Sequence, residues 1–187
     1  TIMCGINAIF NPKGIEQSHI AIVQKMNFEM VYRGPDSQNI WNNEYLVFGQ
    51  VRLSIIGIEN GNQPIFSSDK SIVLICNGEI YNYIELKQEL EEDGFHFQTN
   101  SDCEVILYLY QKLGVECLDL LRGMFAFCLW DDKKKELFVA RDRMGKKPLY
   151  FSHSTNGIVF SSEIKSIAKH FLSDFSLNEQ EVINSLK

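Results

Sequence analysis

The sequence has 187 residues, of which 45% are apolar and 22% charged, a length and composition that suit one domain with a sizeable core. Its 18 basic and 24 acidic side chains leave a net charge of −6, and the basic residues form no stripe, which argues against nucleic-acid binding. No apolar run reaches transmembrane length, and Thr1-Ile2-Met3 lacks the basic region and apolar stretch of a secretory leader, so no membrane association and a cytoplasmic location are expected.

In chain order, Cys4–Phe10 reads as a first strand. From Glu16 to Met30 the period becomes helical, with Ile20, Ala21, Val23 and Met26 able to share one face. Arg33-Gly34-Pro35-Asp36 is a turn, because Gly and Pro break both periods. Strands follow around Gln38–Trp41, Tyr45–Gln50 and Lys70–Cys76. Asn82, with Glu85 three residues later, predicts a capped second helix that Gly94 closes. Phe95–Gln98 is expected as a short strand. Ser101, with Glu104 at the third position, opens a third helix whose apolar face is Val105, Ile106, Leu109 and Leu113 and which Gly114 ends. Met124–Trp130, Glu136–Arg141, Leu149–His153 and Gly157–Ser161 read as antiparallel strands joined by turns, one of them the solvated Asp131–Lys135 segment. A helix near Glu163–His170 and another from Asn178 complete the pattern. The fold class is α+β with mostly antiparallel sheets.

Five cysteines, Cys4, Cys76, Cys103, Cys117 and Cys128, include no CxxC pair and are odd in number, so a disulfide framework is not expected. Cys76 and Cys128 lie in apolar runs, where a cysteine is an inert small hydrophobe. Cys103 is expected on its helix, facing the core. Four histidines have no zinc-ligand spacing, and no metal site is expected.

Three clusters carry chemistry. Removal of the chain ahead of Cys4 would place a thiol and an α-amine on one residue. With an unperturbed pKa near 7.7–8.0, that amine can serve as the base for its own thiol, as in N-terminal threonine nucleophiles. Asn77-Gly78, after an apolar strand, offers a side-chain amide and a backbone N–H for an oxyanion; Asn-Gly is also an ordinary strand-to-helix turn. Arg52 can hold a carboxylate with two parallel hydrogen bonds, and Glu79 and Asp102 can accept from an ammonium. Surface charge or a helix-dipole partner are the plain alternatives.

In combination and order, CGI at Cys4, RGPD (Arg33–Asp36), RLSI (Arg52–Ile55), NGEIYN (Asn77–Asn82), SDCEVI (Ser101–Ile106), RGMFAF (Arg122–Phe127) and RDRMGKKPLY (Arg141–Tyr150) resemble the glutaminase domain of class II glutamine amidotransferases, most nearly its asparagine synthetase branch. The likeness spans roughly residues 3–170. It implies an N-terminal-nucleophile fold, a four-layer αββα sandwich of two antiparallel sheets flanked by helices. It also implies that Cys4 is the nucleophile with its freed amine as base, and that Asn77 and Gly78 form the oxyanion hole. In the same pattern Arg52 binds the glutamine carboxylate, Glu79 and Asp102 bind its ammonium, and backbone groups of Leu53 and Ile55 line the pocket. Glutamine would pass through a γ-glutamyl thioester to glutamate and ammonia. The expected division is a glutaminase domain over residues 1–172 and, over 173–187, the lead into a synthetase domain of the same polypeptide.

No Ser-Gly-Gly-x-Asp-Ser segment and no Gly-rich phosphate loop occurs, so no cofactor is expected on this chain, with ATP and Mg reserved for that synthetase domain. A homodimer is compatible with the resemblance. Gln50 stands two residues before Arg52 where relatives usually carry His, and altered loop packing is expected there. A retained Thr1-Ile2-Met3 would make the Cys4 nitrogen an amide, unable to act as base. Two alternatives stand beside this reading: the same glutaminase serving a sugar or another carboxylate, and a non-catalytic docking or regulatory domain.

Overall fold

The computed structural model describes residues 3–54, 60–154 and 157–171. Thr1, Ile2, Ile55 and the expected helix from Asn178 lie outside the described residues, as does the whole of 173–187. In chain order the elements are β1 (Gly5–Phe10), α1 (Gln17–Glu29), β2 (Ser37–Asn42), β3 (Leu46–Arg52), β4 (Ile65–Phe66), β5 (Ile72–Ile80), α2 (Tyr83–Glu92), α3 (Glu104–Leu113), β6 (Gly123–Asp131), β7 (Glu136–Arg141), β8 (Tyr150–Ser154), β9 (Gly157–Ser161) and α4 (Ile164–Phe171). A 3-10 helix over Gly114–Asp119 follows α3. Among the described residues no helix is long and apolar enough to cross a membrane.

The strands form two antiparallel sheets, ordered β2-β3-β1-β9-β8 and β4-β5-β6-β7. Alternation of side chains along each strand sorts the core into three apolar layers. Ile6, Ala8, Leu46 and Phe48 of the first sheet meet Val73, Ile75, Ala126, Cys128 and Trp130 of the second between the sheets. On the outer face of the first sheet, Ile9, Val47 and Val159 pack on Val23 and Met26 of α1 and Ile167 of α4. On the outer face of the second, Leu74, Phe127 and Leu129 pack on Leu86 and Leu90 of α2 and on the buried side of α3. The order is therefore helix, sheet, sheet, helix. Each fully buried Leu or Ile contributes about 1.5–3 kcal/mol, which ties the helices to the sheets more firmly than helix propensity does.

Polar anchors fix how these layers sit. Asn27, buried on α1, donates from Nδ2 to the carbonyls of Asn39 at 3.2 Å and Gln50 at 3.4 Å, while its Oδ1 accepts from Asn7 at 2.9 Å. One side chain so joins α1 to β1, β2 and β3. At the short edge strand β4, the Gln63 amide clasps the Cys76 backbone, donating from Nε2 to its carbonyl and accepting at Oε1 from its N–H.

Three sequence expectations need correction. Phe95–Gln98 is no strand: Phe95 and Phe97 pack on the Tyr108 ring at 5.4 and 4.9 Å, and the N–H groups of Gln98 and Thr99 donate to the Glu104 carboxylate at 2.8 and 2.7 Å. Asn82 precedes α2 without a side-chain cap bond. Its amide instead clasps the chain before β6, with Nδ2 donating to the Leu120 carbonyl and Oδ1 accepting from the Arg122 N–H. Ser101 and Glu104 form no capping box, because Cys103 is the N-cap residue and Glu104, fully buried, holds the preceding segment.

Replacing Glu104 by Ala removes the charged acceptor that holds the Gln98 and Thr99 N–H groups and empties a fully buried position. The expected result is a loss of about 3 kcal/mol of stability, read as a lower urea midpoint with an unchanged slope.

Candidate active site

At one end of the space between the sheets the apolar filling gives way to a cavity of about 220 Å³. That is below the roughly 300–1,000 Å³ of drug-sized ligand pockets, which limits an occupant to a small molecule. Strand parity turns five side chains toward it. Cys4 continues the register of Ile6 and Ala8, and Arg52 that of Leu46 and Phe48. Asn77 and Glu79 continue that of Val73 and Ile75, and Met124 that of Ala126. All five line the cavity.

Cys4 lies just before β1 and is half-buried. The Leu53 N–H donates to its Sγ at 3.3 Å. Its carbonyl accepts from Arg33 Nε at 3.1 Å, and Arg33 is itself ion-paired with Glu163, ahead of α4. Ser162 pins the next residue but one, its Oγ accepting from the Ile6 N–H at 3.0 Å and its own N–H donating to the Ile6 carbonyl at 2.9 Å. The RGPD turn covers Arg52: a Cβ on Gly34 would meet the Arg52 backbone nitrogen at 2.5 Å. The Asp36 N–H donates to the Arg52 carbonyl, and the Asp36 carboxylate accepts from the Ser54 N–H. Burial pushes the Cys4 thiol above its ordinary value, against the pull of the Leu53 N–H and the charges of Arg52 and Lys147. A buried thiol of this kind needs a base to act as a nucleophile. No histidine is among the described residues lining the cavity.

Asn77 is 1% exposed, and its Nδ2 has no hydrogen-bond partner. Gly78, next on β5, lies against β6 so closely that a Cβ would meet the Met124 carbonyl oxygen at 2.6 Å. Asn77 and Gly78 both line the cavity with Cys4. An orphaned buried amide N–H costs about 1–3 kcal/mol, and Asn77 carries one on the wall of the cavity that Cys4 also lines.

The charged groups divide. Arg52 is buried and donates from Nη1 to Asn62 Oδ1 at 2.9 Å. Asp102 is buried on the turn into α3, with Oδ2 accepting from the Ile80 N–H at 2.7 Å. Burial pushes its carboxyl above the ordinary Asp value, the Ile80 N–H opposes this, and the Glu79 charge adds to the rise. Cys4, Asn77, Gly78, Arg52, Leu53, Glu79 and Asp102 thus gather around one cavity, while Ile55 lies outside the described residues.

The family description "Glutamine amidotransferase domain" matches residues 3–187. The chain belongs to that family. Among curated proteins, this glutamine amidotransferase domain is 44% identical over 167 residues to a glutamine-hydrolysing asparagine synthetase of Bacillus subtilis, covering 88% of the chain and 26% of that protein. It is 37% identical over 197 residues to an amidase of Gibberella zeae, covering 99% of the chain and 28% of that protein. The domain thus spans little more than a quarter of these relatives' length. Among solved structures, the glutamine phosphoribosylpyrophosphate amidotransferase of B. subtilis superposes with a TM-score of 0.72 at 24% identity, over 90% of this chain and 44% of that one. Two stacked antiparallel sheets between helices are therefore the amidotransferase fold.

Sequence reading overlooked other residues of the amidotransferase pocket. Cys76 and Cys103 are buried in the apolar core, as expected, and also border the cavity, with Cys103 Sγ 3.9 Å from the Gly78 carbonyl. Lys147, from the RDRMGKKPLY block, is buried and reaches the same wall. None of them sits in a periodic pattern that singles it out. Gln50 is not a loop residue: it lies in β3, fully buried, with both side-chain amide atoms lacking a partner. The expected change of loop packing is therefore a change within the inter-sheet core.

The raised Asp102 carboxyl makes a signed stability prediction. A carboxyl whose folded value lies above its unfolded value contributes stability below the unfolded value, about pH 3.9, and loses it as pH rises through the folded value. At pH 7 without ligand, Asp102→Asn is expected to melt at a higher temperature than the parent, the gap closing below about pH 4. Melting curves across that range check it.

Proposed function

We propose that this domain hydrolyses glutamine to glutamate and ammonia through a thioester on Cys4, and that the ammonia serves an ATP-dependent asparagine synthetase-type domain of the same polypeptide. The observation that carries the chemistry is the buried, unpartnered Asn77 Nδ2 on the wall of the cavity that holds the Cys4 thiol. A donor kept dry and unpaired in the resting site is arranged for charge that appears only during reaction.

With Cys4 first in the chain, its amine takes the thiol proton and the sulfur attacks the glutamine δ-carbon. The carbonyl oxygen becomes an oxyanion, which receives hydrogen bonds from Asn77 Nδ2 and the Gly78 N–H. The ammonium passes its proton to the departing nitrogen, the carbon–nitrogen bond breaks and ammonia leaves. Water, deprotonated by the same amine, then attacks the thioester and releases glutamate and the thiol. Arg52 pairs with the α-carboxylate, and Asp102 with Glu79 pairs with the α-ammonium. The Leu53 N–H keeps the sulfur oriented. An analogue lacking either α-group forfeits one of these charge pairings, which is how a small site rejects it.

The synthetase assignment rests on the likeness to glutamine-hydrolysing asparagine synthetases. ATP and Mg would act in that further domain, and no step above passes through them. A cytoplasmic location fits such an enzyme.

Two measurements test the chemistry. Intact mass with glutaminase assay is expected to find hydrolysis only in the form beginning at Cys4, and equal rates with Thr1-Ile2-Met3 retained would refute the amine as base. Asn77→Ala in the Cys4-first form is expected to lower kcat about 100- to 1,000-fold with KM changed far less. Supplying aspartate and ATP to the full polypeptide and finding no asparagine would remove the acceptor assignment alone.

A further inference from the structure

Lys147 has a burial and a setting that the reaction above does not use. It is 4% exposed, and its Nζ lies 3.0 Å from the Met3 thioether sulfur. It lines the cavity with Cys4. Among the described residues it makes no ion pair. A thioether is a weak acceptor, and a buried ammonium left with one is costly unless a better partner arrives.

Its position is built. In the loop between β7 and β8, the Asp142 carboxylate accepts from the N–H groups of Lys146 and Lys147 at 2.9 and 3.0 Å. Arg141 Nε donates to the Lys147 carbonyl at 2.7 Å. The loop backbone is held at both faces, so the side chain is directed inward rather than left to wander.

We infer that Lys147 is a positioning residue for the Cys4 pair: its ammonium, seated where Met3 now packs, disfavours a protonated α-amine and favours the thiolate once Cys4 is first in the chain. This rests on the proposed glutaminase reading. A cation beside the amine leaves more of it as free base near pH 7, and makes its conjugate acid a better proton donor to the departing ammonia. The Cys4 thiol already feels the Lys147 charge in this direction.

Other charged groups around the pair have partners or duties of their own. Arg33 is paired with Glu163. Asp142 is occupied by its own loop. Arg52 from β3 binds Asn62, and Asp102 holds the Ile80 N–H. Glu79 from β5 lies on the same wall. Cys76, from β5, and Cys103, at the start of α3, also line this corner, and contact with Cys76 together with burial pushes the Cys103 thiol well above its ordinary value. Lys147 is the cation in contact with the residue whose departure frees the amine.

The test uses the full natural polypeptide beginning at Cys4, with Lys147→Gln, Lys147→Met and Lys147→Arg, each checked for folding by its melting curve. Two pH profiles are read: kcat/KM for glutamine, and the rate of Cys4 alkylation by iodoacetamide, which needs no turnover. Lys147→Gln and Lys147→Met are expected to move the acid limb of both profiles up by about one pH unit, with about tenfold lower kcat/KM near pH 7. Lys147→Arg is expected to keep both profiles in place. Unmoved limbs in the neutral variants overturn the inference, as does a rise in KM alone, which would make Lys147 a glutamine contact. Loss of activity in Lys147→Arg at every pH also overturns it, since a guanidinium supplies charge but no base. A parent with no glutaminase activity sinks the functional reading, while the alkylation profiles still decide the role of Lys147.

Discussion

The site depends on the antiparallel register of β1 against β3, in which Gly5 lies opposite Val51. That pairing brings Cys4 beside Arg52 and Leu53, so that a backbone N–H reaches the sulfur. It also sets the parity of both strands, turning Cys4 and Arg52 toward the space between the sheets. A slip of one residue would send every side chain of β1 to the opposite face and point the thiol at α1. The neighbouring motifs guard this register. Gly34 and Asp36 lock the turn onto Arg52, Arg33 holds the Cys4 carbonyl, and Ser162 holds Ile6. Motifs scattered through the sequence are in this sense one clamp around the start of β1.

Electrostatically the resting pocket works against its own charges. Burial raises both the Cys4 thiol and the Asp102 carboxyl, and Asn77 keeps an unpaired donor in a dry wall. Under the proposed reaction, each of these groups gains a partner from the substrate that the protein does not supply. Arg52 and Lys147 share the cavity wall with Glu79 and Asp102, so both signs of charge border the thiol. Such a site gives up some stability in the empty state and gains discrimination in return.

Much of this was legible in the sequence, and the physical reason is local. Strands β1, β3, β5 and β6 alternate or run apolar, α3 is an apolar run that is buried all round from Glu104 to Tyr110, and the residues of the pocket occur in short blocks whose chemistry is readable side chain by side chain. Sheet order was not legible, because pairing of β1 with β9 joins Asn7 to Ser161 and no local period encodes such a partner. Phe95 and Phe97 alternate as a strand would, yet a tyrosine ring and a buried carboxylate offered that segment better partners than a sheet edge. Asn82 carries the signature of a cap, but its amide found two backbone groups of the chain before β6. Lys147 looks like one of many surface lysines. Only the hydrogen-bonded loop around Asp142 turns it inward.

The Gln63 clasp has a consequence for the molecule's behaviour in crowded solution. The second sheet ends at β4, a strand of two residues, and an open rung beside it would invite a foreign strand to add. Gln63 fills that rung with its own amide, and Pro64, lacking an N–H, offers no donor next to it. The β5 rung beyond the two residues of β4 is thereby closed by a side chain of the cavity wall, which leaves less open edge for association.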